Sequence, residues 1–291
     1  MTAPSRTTGA VPAPAVPESP VTGAPPYRLV ATDLDGTLLR HDGSVSGRTR
    51  RALAAAVAAG AVHLVVTGRS APWAREVLDT LEYRGLAVCG QGAQLYDAGA
   101  DRLLTSVTLD RRTAAQALAR LEEAVGPVAA GASRDGIAGE VVIRDGFSHA
   151  HDDLPVVTVR TTDELWAEPV NKVYVQHSVL DDDALARAAR EVAGDLVAVV
   201  VSGPRIVEML PLGLTKATGL SLAARRLGVT AAETIAFGDM PNDVPMLRWA
   251  GRGVAMANAH PELIAVADEV TLSNTEDGIA AVLEREFGFS G

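Results

Sequence analysis

Asp33 and Asp35 stand one residue apart at the end of the apolar run Leu29-Val30-Ala31, and Gly36 and Thr37 follow at once. Carboxylates are costly to remove from water unless something pairs with them, so two of them closing a buried strand ask for a partner. Three more polar clusters sit beside other apolar runs: Thr67, Gly68 and Arg69 in VVTGR, Lys216 at the start of a helical segment, and Asp239, Asn242 and Asp243 in FGDMPND. Brought together, the carboxylates repel one another, and a cation is needed to hold them. Oxygen-only donors point to Mg²⁺, which takes carboxylates, carbonyls and water. A lysine, a hydroxyl and helix-start N–H groups suit the oxygens of a phosphoryl group. With a metal masking its charge, one aspartate can attack phosphorus and form an aspartyl-phosphate. The second can protonate the leaving alcohol and later deprotonate the attacking water.

For that chemistry the four clusters must meet, and the pattern of the chain supplies the means. RLVATD, AVHLVVTG and LAVCG are continuous apolar runs of the kind that form parallel strands covered on both faces. Between them lie the alanine-rich SGRTRRALAAAVAAG, ended by Gly60, and a segment opened by Pro72 in which Trp73, Val77, Leu78 and Leu81 share a helical face. This alternation predicts an α/β fold with a Rossmann-like parallel sheet, whose ligands gather beyond the C-terminal ends of the strands. After residue 93 the texture changes to helices such as RRTAAQALARLEEAV mixed with antiparallel-looking runs, GEVVIRDG, VVTVRTT, NKVYVQHS and LVAVVVSGP. From about residue 206 the strand–helix rhythm returns. The expected organisation is a core of residues 27–93 plus 206–291, with an α+β cap inserted at 94–205. Residues 1–26 hold seven of the sixteen prolines and read as a disordered tail.

A net charge of −10 argues against a nucleic-acid partner, which needs a basic footprint, yet leaves room for a small anionic substrate at a locally positive site. No apolar stretch approaches a membrane span and no secretion-signal layout opens the chain, so no membrane partner is expected. A single cysteine, Cys89, permits no intrachain disulfide and suits a reducing, cytoplasmic setting. The pattern leaves the oligomeric state unassigned.

Taken in order, DLDGTLL, VVTGR, LGLTKA and GDMPND resemble the four motifs of the haloacid dehalogenase (HAD) superfamily. The similarity is to the Cof-type phosphatases with a class IIB cap, and CGQGAQLYD and VAMANAHPELIAVADEVTLSNTEDGIA resemble further stretches of that group. The resemblance implies Asp33 as nucleophile and Asp35 as general acid/base. It implies Mg²⁺ held by Asp33, the backbone carbonyl of Asp35 and Asp239, with Asp243 and Asn242 completing the metal and phosphate shell. Thr67, Gly68 and Lys216 would bind the phosphate of a small phosphorylated metabolite, a sugar phosphate or the phosphate of a cofactor precursor. Two positions depart from the group: Gln91 stands where asparagine is usual, and Ala217 where glycine is usual. A phosphomutase of the phosphomannomutase type and a non-catalytic phosphometabolite-binding regulator are the alternatives. A receiver-type phosphoacceptor is much shorter and has no inserted cap.

The remaining polar and aromatic residues have simpler readings. His149 and His151 lack a third ligand and read as solvated. With Arg144 and Lys172 they fall in the cap, where a part in substrate selection is open. His63 reads as a satisfied core residue, Cys89 as buried and inert, Trp73 and Trp249 as packing, and Arg69 as an anion binder or an ion-pair partner. The acid-started run from Asp181 reads as a helix N-terminus.

Overall fold

The computed structural model describes residues 25–148 and 156–289; the expected tail up to residue 24, His149 and His151 lie outside the described residues. The chain opens as β1 (Leu29–Thr32), α1 (Gly47–Ala58), β2 (Val62–Val66), α2 (Ala71–Thr80) and β3 (Leu86–Cys89), then turns into β4 (Gln94–Asp97) and β5 (Arg102–Ser106). Next come α3 (Arg111–Val125), β6 (Ala129–Arg134), β7 (Val141–Arg144), β8 (Val156–Val159) and α4 (Thr162–Leu165). They are followed by β9 (Val170–Gln176), α5 (Asp182–Ala193), β10 (Ala198–Gly203) and β11 (Ile206–Leu210). The chain closes with α6 (Lys216–Leu227), β12 (Thr234–Gly238), α7 (Val244–Trp249), β13 (Arg252–Ala255), α8 (Pro261–Ile264), β14 (Glu269–Val270) and α9 (Gly278–Phe287).

Two sheets result. The first has eight strands in the order β14-β13-β12-β1-β2-β3-β4-β5, parallel from β14 to β3. Its strands are apolar on both faces for a visible reason. Val30, Val65 and Phe237 pack with α1, α2 and α9 on one side, while Leu29, Ala31, Leu64 and Val66 pack with α6 and α7 on the other. The second sheet has six strands, β10-β11-β9-β6-β7-β8. One face, carrying Val173, Val175, Val207 and Met209, packs on α3 and α5. The alternate residues Lys172, Tyr174, Ile206 and Glu208 line a cleft shared with the first sheet, as the period of two along a strand requires.

Three details differ from the sequence expectation. Gln94–Asp97 and Arg102–Ser106 extend the first sheet as antiparallel strands, although they fall within the expected cap, 94–205. Their antiparallel texture is what makes them read as part of the insertion. Ile206–Leu210, expected in the core, pairs with β9 and β10 in the second sheet. The runs VVIR and VVTV, which look antiparallel, pair in parallel.

Candidate active site

β1 and β12 are parallel neighbours, with Thr32 opposite Phe237, and the Asp33 amide donates to the Phe237 carbonyl at 3.0 Å. The loops leaving the two strands therefore start side by side, and Asp33 and Asp239 emerge together although they lie far apart in sequence. Gly36 makes the first loop possible. Its φ is +76°, and a Cβ there would stand 2.2 Å from Asp239 Oδ2. The loop is braced from the far end of the chain: Asn258 Nδ2 donates to the Gly36 carbonyl at 2.8 Å, and Asn258 Oδ1 accepts from the Asn274 amide.

Lys216 is the first residue of α6, whose start is capped by the Thr215 side chain and whose end is closed by Gly228 in the left-handed region. Its ammonium is buried and donates to Asp33 Oδ1 at 2.5 Å and Asp243 Oδ1 at 2.6 Å. Asp243 Oδ2 accepts from the amides of Asp239 and Met240, so the same carboxylate shapes the loop after β12 and anchors the lysine. Asp239 Oδ1 accepts from Thr37 Oγ1 at 2.9 Å.

Asp33, Asp239 and Asp243 each offer a carboxylate oxygen, and these oxygens lie within 4.8 Å of one another. All three groups are buried and one ammonium faces them, so the cluster keeps an excess of negative charge. Burial pushes the Asp33 carboxyl well above its ordinary range, with Lys216 pulling it back and Asp243 and Asp239 pushing it further up. Burial, then the Asp243 charge, raises Asp239 to about 7. Burial works against the Lys216 ammonium, but Asp243 and Asp33 outweigh it and hold its proton more tightly than usual. Carboxylates that hold protons because their charges crowd one another are a site where a hard divalent cation would take the protons' place. The donor set fits Mg²⁺, with Asp33 and Asp239 as the side chains that would hold it. Asp243 already spends both oxygens on Lys216 and the loop amides.

The other expected residues are placed as follows. Asp35 is about half exposed and is gripped by Arg69, whose Nε and Nη2 donate to its two oxygens at 2.8 and 2.6 Å. Arg69 thus makes an ion pair on the rim of the cleft. Thr67 is buried and its Oγ1 accepts from the Arg69 amide at 3.1 Å, while Gly68 and Arg69 line the cleft. Asn242 lines the cleft too, its Nδ2 donating to Gln91 Oε1 at 3.0 Å.

The cleft has a volume of about 710 Å³, with Asp33, Asp35 and Lys216 at the first sheet's side and Lys172, Tyr174 and Glu208 on the second. Lys172 bridges the two, donating to the Gly68 carbonyl at 2.6 Å and to Glu208 Oε1 at 2.5 Å. Trp73, which reads as packing, packs against the second sheet, stacking on Tyr174 at 6.5 Å between ring centroids, and also lines the cleft. Its α2 face is where the two sheets approach. Arg144 lies away from the cleft, bonded to Glu122, Thr162 and the Val128 carbonyl. Cys89 is buried with its thiol pushed up to about 12 by desolvation. His63 bonds Thr32 Oγ1 and is pushed down to about 4 by burial. Sequence reasoning gave no part to Glu208, Asn258 or Asn274. The last two lie in stretches noted only for their likeness, and nothing local to Glu208 signals its partners.

The family described as haloacid dehalogenase-like hydrolase matches residues 30–283. A Bacillus subtilis protein named 5-amino-6-(5-phospho-D-ribitylamino)uracil phosphatase YitU is 30% identical over 280 residues, covering 90% of this chain and 98% of that protein. An Arabidopsis thaliana protein named chloroplastic endoribonuclease YBEY is 28% identical over 280 residues, covering 90% of this chain. The chain spans only 47% of that plant protein's length, and the plant name belongs to the whole. The crystal structure of SMU.1108c from Streptococcus mutans UA159 superposes with a TM-score of 0.79 at 23% identity, covering 90% of this chain and 99% of that one, a likeness of fold. Among the described residues no helix is long and apolar enough to cross a membrane.

Proposed function

This chain belongs to the haloacid dehalogenase-like hydrolases and is a phosphatase of that family, and from that premise we propose that it hydrolyses a small phosphorylated metabolite through an aspartyl-phosphate on Asp33. The observation that carries the reading is the buried cluster of Asp33, Asp239 and Asp243 around Lys216, at the floor of a cleft with room for a metabolite.

Asp33 is the nucleophile in this reading. Lys216 holds its Oδ1, which fixes the carboxylate and leaves Oδ2 as the attacking atom. Asp33 and Asp239, with the main-chain carbonyl of Asp35, would hold Mg²⁺; when bound, the ion offsets the clustered negative charge and polarises the phosphoryl oxygens. Gly68 binds a phosphate oxygen through its amide, and Thr67 shapes that loop through its bond to the Arg69 amide. As Asp33 Oδ2 bonds to phosphorus and the ester oxygen–phosphorus bond breaks, Asp35, having left Arg69 and taken a proton from solvent, gives that proton to the departing alkoxide oxygen. After the alcohol leaves, Asp35 takes a proton from water, whose oxygen bonds to phosphorus while the phosphorus–Asp33 oxygen bond breaks. Asp35 must leave Arg69 to do this, opening a two-bond pair whose carboxylate side is about half exposed.

The second sheet serves as the cap and walls the leaving group. The B. subtilis relative's name supports a phosphate ester carried on a polyol or sugar chain, the class of sugar phosphates and cofactor precursors. The test is phosphate release from p-nitrophenyl phosphate by the purified chain. Release should require added Mg²⁺ and stop with EDTA, whereas turnover surviving full chelation would exclude the metal from the mechanism. A panel of phosphorylated metabolites assayed in the same way identifies the ester.

A further inference from the structure

Lys172 lines the cleft, where a lysine's charge would suit the phosphate of a substrate, yet its ammonium is engaged inside the protein. It is 1% exposed and donates to the Gly68 carbonyl at 2.6 Å and to Glu208 Oε1 at 2.5 Å, and it lies 4.7 Å from the centroid of the Tyr174 ring. Glu208 stands opposite Tyr174 on β11, and its Oε2 accepts from Gln91 Nε2 at 2.8 Å. Burying two charges is costly unless further hydrogen bonds satisfy both groups, and here those bonds cross between the sheets. A neutralised pair on the second sheet is therefore seated on two loops of the first, one after β2 and one after β3.

The bond to Gly68 belongs to a set that fixes the loop after β2 one peptide plane at a time. The Thr67 carbonyl accepts from the Gln91 amide at 3.2 Å. That peptide is trans, so the Gly68 N–H points the opposite way, and among the described residues it has no acceptor. The next plane is held at both polar groups, the Arg69 N–H by Thr67 Oγ1 at 3.1 Å and the Gly68 carbonyl by Lys172. Beyond it, the Arg69 carbonyl accepts from the Gly90 amide at 2.7 Å. Glycine imposes little torsional limit of its own, so the bonds on either side decide where the Gly68 N–H points. Of these bonds only the one from Lys172 reaches in from the second sheet.

We propose that Lys172, borne by the second sheet, is a positioning residue for the phosphate end of the reaction. Its bond to the Gly68 carbonyl holds the Gly68 amide in the orientation that receives a phosphate oxygen, and Glu208 keeps the ammonium aimed there. The second sheet then does more than wall the leaving group. It completes the phosphate site through the first sheet's backbone, without touching the phosphate itself. A loop ordered in advance binds without the cost of ordering, and that order lasts only while the two sheets meet at Gly68. The inference rests on the phosphatase reading for phosphate as the ligand of the Gly68 amide.

Inorganic phosphate carries no leaving group, so its calorimetric binding to the full chain with Mg²⁺ isolates the phosphate end. Lys172→Met should weaken that binding about tenfold, through loss of one charge-assisted hydrogen bond that orders the loop. Lys172→Met combined with Glu208→Gln leaves no unpartnered charge buried and carries the test if the single variant does not fold. Turnover of acetyl phosphate and of p-nitrophenyl phosphate, measured in parallel, should lose a similar factor in kcat/KM, because the defect lies at the end the two esters share. A wild type that binds phosphate but turns over neither ester defeats the phosphatase reading and leaves the calorimetric ratio to decide this inference. Phosphate binding within about twofold of wild type in a folded variant, or a loss confined to p-nitrophenyl phosphate, overturns it: Lys172 would then serve stability or the leaving group alone.

Discussion

Replacing Lys216 by methionine removes the one ammonium from a buried set of carboxylates while keeping most of the side-chain volume. In the native protein it donates to Asp33 at 2.5 Å and Asp243 at 2.6 Å, and it is 1% exposed. Without it, Asp33, Asp239 and Asp243 face one another with oxygens within 4.8 Å. Two like charges at that separation repel by about 3.5 kcal/mol at an effective dielectric of about 20, and stripping one partner from a buried ion pair typically costs about 3–5 kcal/mol. We take about 3–5 kcal/mol for Lys216→Met at pH 8 without divalent ions, which lowers Tm by roughly 6–20 °C in a chain of this size. The loss should shrink at pH 5, where Asp239, raised to about 7 by burial, takes up a proton and stops repelling. The assay is thermal unfolding of wild type and variant at both pH values in EDTA, with Arg69→Met as a rim control expected to cost no more than about 1 kcal/mol. A Lys216→Met protein that melts within about 2 °C of wild type at pH 8, or one penalised equally at pH 5, would refute the electrostatic reasoning.

Two more outcomes follow from the same geometry. Asp239 binds its proton more tightly folded than unfolded, so raising pH from the ordinary carboxylate value of 3.8 through about 7 should cost the ion-free protein stability. Mg²⁺ should then raise Tm more at pH 8 than at pH 5; equal shifts would mean the ion does not meet these carboxylates. Gly36→Ala should cost at least about 1–3 kcal/mol for a side chain forced to positive φ, and more from the contact with Asp239. Phosphate release should fall by a larger factor than Tm suggests, because the displaced group is Asp239; a variant with native Tm and native turnover would contradict the close approach.

The loops of the site were legible because three of the polar clusters follow apolar strands directly and the fourth, Lys216, opens a helix, and the ends of parallel strands are where such groups can be buried and converge. Leu29–Thr32, Val62–Val66 and Thr234–Gly238 are continuous apolar runs, and their parallel order brings Asp33, Thr67 and Asp239 to one edge. The strands Gln94–Asp97 and Arg102–Ser106 were not legible as core, because antiparallel strands added to a parallel sheet carry the same texture as the second sheet. Trp73 shares a helical face with Val77 and Leu78, so its spacing cannot tell a core contact from its stack on Tyr174. Gln91 and Glu208 are 117 residues apart and meet through a single hydrogen bond. No periodicity encodes that contact; only the fold reveals it. Asp243 shows the reverse case: expected as a metal ligand, it spends one oxygen on Lys216 and the other on the amides of the loop after β12, the plainer capping role that its place at a helix start also allows.

The claim on which the rest depends is that Asp33 takes the phosphoryl group. Mixing the full chain with Mg²⁺ and a turned-over phosphate ester, quenching within the first turnovers and reducing with borohydride would convert an aspartyl-phosphate to homoserine, located by peptide mass spectrometry. The expected result is homoserine at position 33 in wild type and none in Asp33→Asn, which should release no phosphate while melting as a folded protein. Steady turnover with position 33 unmodified, or a reduced residue anywhere else, would contradict it.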